Sequence, residues 1–161
     1  MNPEKEKFLP ISGSDIRIDA EGRWFYQGTE MTRRNIVRLF YKNLQQNASG
    51  EYYIKIGPQL CPVEVEDAPY VVWSIRCSEK TGTLEYVDLV LSDDRVERLN
   101  PATFWINDRH IPYCRVRHGR FTARFSKASY YRIAEHISYD PSKESYHLSI
   151  NGRSYYFFNC L

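Results

Sequence analysis

Residues 112–125, Pro-Tyr-Cys-Arg-Val-Arg-His-Gly-Arg-Phe-Thr-Ala-Arg-Phe, alternate in character on both sides of His118-Gly119. Side chains two apart on a strand share a face. Arg115 and Arg117 therefore point one way while Cys114 and Val116 point the other. On the return strand Arg120, Thr122 and Arg124 face away from Phe121, Ala123 and Phe125. A hairpin of this kind must bury its oily side, so the chain is committed to a sheet with a core beneath it. The same hairpin lies in a run, 109–132, that contains seven Lys or Arg and no Asp or Glu. Its second face offers up to four guanidiniums.

This charge is local, because 22 Lys and Arg are nearly balanced by 20 Asp and Glu. A pI of 8.3 falls below the value of about 9 usual for nucleic-acid-binding domains, which counts against nucleic acid as a partner. At 161 residues the chain is one compact unit or two small joined ones, and burying roughly 70% of its extended surface lets it fold without staples. The four cysteines, Cys61, Cys77, Cys114 and Cys160, form no C-x-x-C, so neither zinc nor a redox motif is indicated. Residues 1–13 read as a flexible leader without the apolar run of a signal peptide. No stretch approaches the ~18 apolar residues of a membrane span. A cytoplasmic protein with free thiols, and no membrane partner, is the expectation.

Residues 15–19 and 24–26 read as strands around a turn at Ala20-Glu21-Gly22. Thr32 is the expected cap of a helix reaching Leu44, with Ile36, Leu39, Phe40 and Leu44 on its apolar stripe. Residues 52–56 and 60–65 are strands broken at Gly57-Pro58. After Ala68-Pro69 come two longer strands, 70–76 and 84–91. Beyond the Arg hairpin, Ser126 caps a second helix, 128–138, striped by Tyr130, Ile133, Ala134 and Ile137. Asn151-Gly152 then joins strands 146–150 and 154–158. Both halves read hairpin, helix, strand pair, which suggests an internal duplication. The expected fold is α+β, with a subdomain over 14–67 and a mostly β subdomain with one helix over 68–161.

Four passages carry a family resemblance: residues 19–28 (Asp-Ala-Glu-Gly-Arg-Trp-Phe-Tyr-Gln-Gly), residues 34–40, residues 65–70 (Val-Glu-Asp-Ala-Pro-Tyr) and residues 112–124. In this order they resemble the bacterial domain-of-unknown-function family 1285. The resemblance implies two subdomains with a duplicated core, the C-terminal part being a strongly bent, pleckstrin-homology-like antiparallel sheet packed with one helix. It also implies a nucleotide-like ligand in a groove between the halves and a role in signal transduction. It supplies no catalytic residues. The chain departs from the family pattern where Gly57-Pro58-Gln59-Leu60-Cys61-Pro62 replaces a Thr-Pro-x-Glu-Lys-like element, and Lys127 stands where Arg is commoner.

Clustered guanidiniums bind phosphate or carboxylate in bidentate fashion. Arg115, Arg117, Arg120 and Arg124, with Tyr113 beside them, thus form a candidate anion pocket. Two other readings are open: internal ion pairs, for instance with Glu64, Glu66 and Asp67, or a solvated face. Glu66 and Asp67 could answer an arginine, brace turn amides or recognise ribose hydroxyls. Trp24 and Tyr26 could stack on a base, while a strand tryptophan is more often core. No H-x-H, H-E-x-x-H, phosphate loop or G-x-S-x-G elbow occurs, so no metal, cofactor or catalytic residue is indicated. The reading that follows is a ligand-binding or regulatory module for a small phosphorylated molecule. A protein–protein adaptor, an RNA or single-stranded DNA binder and, more distantly, an enzyme acting on a nucleotide are the alternatives. Truncating Arg117 is expected to leave stability nearly unchanged.

Overall fold

The computed structural model describes residues 16–157. The expected leader and the strand ends at Asp15 and Phe158 lie outside them. The chain divides into two compact units between Asp67 and Ala68.

The N-terminal unit contains β1 (Ile16–Ile18), β2 (Trp24–Tyr26), β3 (Thr29–Glu30), α1 (Arg34–Lys42), β4 (Leu44–Gln46), β5 (Tyr52–Ile56) and β6 (Gln59–Val65). Its six strands form one sheet in the order β3-β2-β1-β6-β5-β4, in which β1 is antiparallel to β2 and parallel to β6. The turn after β1 is organised by the buried Asp19, whose carboxylate accepts from the amides of Glu21 (3.0 Å) and Arg23 (2.8 Å) and from Arg23 Nε (2.7 Å). Asn47 closes the turn before β5 in the same manner, accepting from the amides of Ser49 and Glu51.

Helix α1 departs from expectation. Arg33, not Thr32, is its N-cap, and no side chain caps it. Its buried stripe is Val37 and Tyr41, whereas Leu39 is 48% exposed. The helix stops at Lys42, so Leu44 belongs to β4 and cannot extend the stripe drawn through it. Tyr41 instead meets Trp24 edge-on with ring centroids 5.0 Å apart, and Phe40 meets it at 5.7 Å.

The C-terminal unit begins with a long hairpin, β7 (Tyr70–Lys80) and β8 (Thr83–Leu91), followed by β9 (Val96–Arg98) and a 3-10 turn at Pro101–Thr103. Then come β10 (Trp105–Ile106), β11 (Pro112–Val116), β12 (Phe121–Phe125), α2 (Lys127–Ala134), β13 (Ile137–Asp140), β14 (Ser145–Ile150) and β15 (Arg153–Phe157). Register shifts between Val72 and Ser74 and between Ser78 and Glu79 interrupt the β7–β8 ladder, and such bulges bend a strand. The unit's strands do not form one continuous antiparallel sheet. A mixed sheet runs β10-β11-β12-β7-β8-β9, with β12 parallel to β7, and β13-β14-β15 form a separate antiparallel sheet. Asn151 (φ 51°) and Gly152 (φ 73°) make the expected turn between β14 and β15, and the Asn151 amide donates to Leu84 O at 2.7 Å.

Ser126 caps α2 as expected, accepting from the Ser129 amide at 3.2 Å. The hydroxyls of Ser126 and Ser129 donate to the Trp73 and Val72 carbonyls at 3.1 and 3.0 Å, fixing the helix to β7. The helix ends at Ala134, and Ile137 opens β13 instead of completing the helical stripe. Tyr70, Val72, Val87, Leu89, Phe121, Phe125, Ile133 and Leu148 are all buried and form the core of this unit.

The two six-stranded sheets share one topology. Read from its other end, the second sheet is β9-β8-β7-β12-β11-β10, which repeats β3-β2-β1-β6-β5-β4 strand for strand. The duplication is therefore present, but its phase differs from the one read in the sequence. The Arg hairpin β11–β12 corresponds to β5–β6, and α2 with the three-stranded sheet follows the repeat. The two- and three-residue strands β3, β4, β9 and β10 carry too few side chains to show a period of two, which is why the true repeat is hidden.

Candidate anion-binding site

The Arg hairpin is built as its alternation requires. Cys114 pairs with Ala123 and Val116 with Phe121, and these four, with Phe125, are buried. Burial, with a smaller contribution from Glu97, pushes the Cys114 thiol pKa well up, so this cysteine is an inert core residue. On the other face Tyr113 pairs with Arg124 and Arg115 with Thr122. Tyr113 is buried and stacked on Trp105, with centroids 5.3 Å apart and planes at 17°. Tyr113 therefore lies in the core and does not line the cleft that opens beside the hairpin tip, which corrects its expected place beside the anion pocket.

Arg117 is not on the strand. With His118 and Gly119 it forms a left-handed tip, at φ 55°, 57° and 76°. A non-glycine residue in that region is held there at a cost of about 1–2 kcal/mol. Two bonds hold Arg117. Its amide donates to Glu97 Oε1 at 3.0 Å, and Nη1 of its guanidinium lies 3.4 Å from Oδ2 of the buried Asp93. Arg115 is propped by the hairpin itself, donating from Nε to Gly119 O (3.2 Å) and from Nη1 to Thr122 Oγ1 (2.8 Å).

A cleft of about 560 Å³ opens beside this tip, and Arg95, Arg98, Arg115 and Arg117 all line it. Glu97, Asn100, Thr103 and His118 complete the polar lining. Arg95 and Arg98 are placed by β9 and the turn before it, and each is steadied from behind. Arg95 Nε lies 3.8 Å from Asp93, while Arg98 Nε bonds Asp88 at 2.8 Å and its guanidinium rests 3.6 Å from the centroid of Tyr86. Four arginines thus line one space large enough for a small anion, and guanidiniums are the side chains suited to bidentate anion recognition.

The site brings together only part of what the sequence indicated. Arg115 and Arg117 line the cleft, whereas Arg120 and Arg124 do not. Arg120 lies over Phe121, 5.5 Å from its centroid, and Arg124 stands opposite Tyr113 at the far end of the hairpin. The internal ion-pair reading holds in part, through Asp93. Arg95, Glu97, Arg98 and Asn100 were missed. Their signal was the Ser92-Asp93-Asp94 turn cluster and the Asn100-Pro101 cap, which bracket a short strand.

In the N-terminal unit Trp24 is 1% exposed and is core, so it cannot stack on a ligand. Tyr26 is 47% exposed, and Asp67 is exposed. Glu66 braces the turn after β1, accepting from the Ala20 amide at 2.9 Å and facing Arg17 at 3.8 Å. Among the described residues no group of three or more His, Cys, Asp or Glu could hold a metal ion. No helix among them is long and apolar enough to cross a membrane.

Residues 6–68 match the family described as domain of unknown function (DUF1285), N-terminal domain. The chain is similar to the crystal structure of a DUF1285 family protein from Silicibacter pomeroyi DSS-3, with a TM-score of 0.71 and 22% identity over 89% of this chain and 78% of that one. It is also similar to a DUF1285 family protein from Shewanella baltica OS155, with a TM-score of 0.61 and 21% identity over 74% of this chain and 90% of that one. No curated protein matches. The resemblance read from the sequence is borne out, and the two solved structures share the fold.

Proposed function

We propose that this chain, whose residues 6–68 match the N-terminal domain of the DUF1285 family, is a cytoplasmic regulatory module whose C-terminal unit binds a small, phosphorylated, nucleotide-like ligand. In this reading, binding is the event that a signalling partner senses. The observation that carries the proposal is the convergence of Arg95, Arg98, Arg115 and Arg117 on one cleft. Each arginine has a partner within the unit: Asp93 for Arg95 and Arg117, Asp88 for Arg98 and Thr122 for Arg115. An anion entering there meets charge already in place, so little side-chain entropy is lost on binding.

A thermal-shift series with inorganic phosphate, pyrophosphate, nucleotides and phosphosugars tests this. A ligand at 100 times its dissociation constant stabilises the folded state by about 2.7 kcal/mol. The melting point should rise for at least one phosphorylated compound and not in an Arg98→Ala/Arg115→Ala double variant. A flat response across the whole series removes the proposal.

A second reading, a protein–protein adaptor, is favoured by Tyr131 and Tyr139, which are 72% and 51% exposed. Exposed aromatics of this kind are enriched at protein interfaces. A stoichiometric partner that is lost on Tyr131→Ala/Tyr139→Ala substitution would support it.

A further inference from the structure

The cleft contains a group that a plain phosphate site would not use. Glu97 is its acidic residue, set among the four arginines, and a carboxylate beside a phosphate repels it. Fixing the hairpin tip does not explain the charge, because the Arg117 amide needs a single acceptor, which an uncharged glutamine would also supply. Only one Glu97 oxygen is used in this way, at 3.0 Å, and the other accepts no hydrogen bond from the described residues. Nearby, Asn100 spends its side-chain oxygen on the Ala102 amide at 3.2 Å, and its Nδ2 remains a donor. The cleft thus offers guanidiniums for an anion, a carboxylate oxygen that can accept, and an amide that can donate.

We infer that the ligand of this cleft is a sugar phosphate, its phosphate held by the arginines and a hydroxyl donating to Glu97. The inference rests on the anion-cleft reading and narrows it. A hydroxyl donates and accepts through one oxygen without adding charge, so a single such group can answer both Glu97 and Asn100. A ligand without hydroxyls leaves Glu97 unanswered beside a second negative charge. Sites built to hydrogen-bond a hydroxyl discriminate strongly against analogues that lack it.

Calorimetric titration of inorganic phosphate and ribose 5-phosphate into the wild-type chain and Glu97→Gln provides the test. Glutamine keeps an acceptor for the Arg117 amide, so the tip should stay folded. In the wild type, ribose 5-phosphate should bind about ten-fold or more tighter than phosphate, the value of one charge-assisted hydrogen bond. In Glu97→Gln that preference should collapse while phosphate binds at least as well as before. Equal affinities in the wild type, or a preference that survives in Glu97→Gln, overturn the sugar-phosphate assignment and leave the anion cleft standing. If neither compound binds the wild type, the sugar-phosphate assignment falls, and the thermal-shift series with pyrophosphate and nucleotides decides the anion cleft separately.

Discussion

Asp93 holds Arg117 from beneath the cleft: the Arg117 Nη1 to Asp93 Oδ2 distance is 3.4 Å, and the Asp93 side chain is 2% exposed. The two residues lie 24 positions apart in the chain. Asp93 also approaches Arg95 at 3.8 Å and accepts from the Arg95 amide at 3.0 Å. One buried carboxylate thereby ties two walls of the cleft, the turn before β9 and the tip of the Arg hairpin. Arg117→Ala leaves that carboxylate short of a partner and should cost about 1.5–3 kcal/mol in urea unfolding, the range for a hydrogen bond to a charged group. The negligible effect anticipated from the alternating pattern alone applies instead to Arg120→Ala, expected within about 0.5 kcal/mol of wild type.

Phe125→Ala should be far more damaging. The ring is 2% exposed and meets Phe104 edge-on at 5.6 Å. Truncation leaves a cavity in a core that cannot fully close around it, at a cost of about 3–5 kcal/mol. Equilibrium denaturation should show the midpoint falling with little change in slope. A loss comparable to that of Arg120→Ala would contradict the placement of this face.

Ser126→Ala tests the joint between β12 and α2. The hydroxyl caps the helix, and it also donates to the Trp73 carbonyl. Loss of the cap should cost about 1 kcal/mol. Hydrogen exchange should accelerate first at the Ser129 amide, which loses its acceptor.

The hairpin between β13 and β14 carries an acid-sensitive contact. Hydrogen bonds from Ser142 and Tyr156 hold the Asp140 pKa down at about 2, against an ordinary value of 3.8. A depressed carboxylate pKa means that the folded state favours the ionised form. Its stabilisation is fully present above 3.8 and is lost as pH falls through about 2. Asp140→Asn should flatten that part of the acid-unfolding profile. A carboxyl carbon titration by NMR that places Asp140 at its ordinary value would contradict the contact.

The long alternating stretches were legible because a period of two over five or more residues leaves little choice. Residues 112–125 gave both hairpin faces and the buried set Cys114, Val116, Phe121, Ala123 and Phe125. The short strands were not legible, and the phase of the repeat went with them. Val96, Glu97 and Arg98 form a strand because β8 lies beside them, not because three residues specify one. The site suffered accordingly. Arg115 could be read from its own strand, but Arg95 and Arg98 reach the cleft only through β9. Arg117 changed role because His118-Gly119 required a wider left-handed turn than a two-residue tip allows. The burial of Trp24 and Tyr113 depends on Tyr41 and Trp105, partners distant or unrecognised in the sequence.

The central claim is that phosphorylated ligands enter the cleft beside the hairpin tip. Amide chemical-shift mapping by 15N NMR during a pyrophosphate titration tests it most directly. The account predicts saturable shifts concentrated at Arg95, Glu97, Arg98, Arg115, Arg117 and Gly119, abolished by Arg98→Ala/Arg115→Ala. Saturable shifts that cluster elsewhere, or none at these amides, would contradict it.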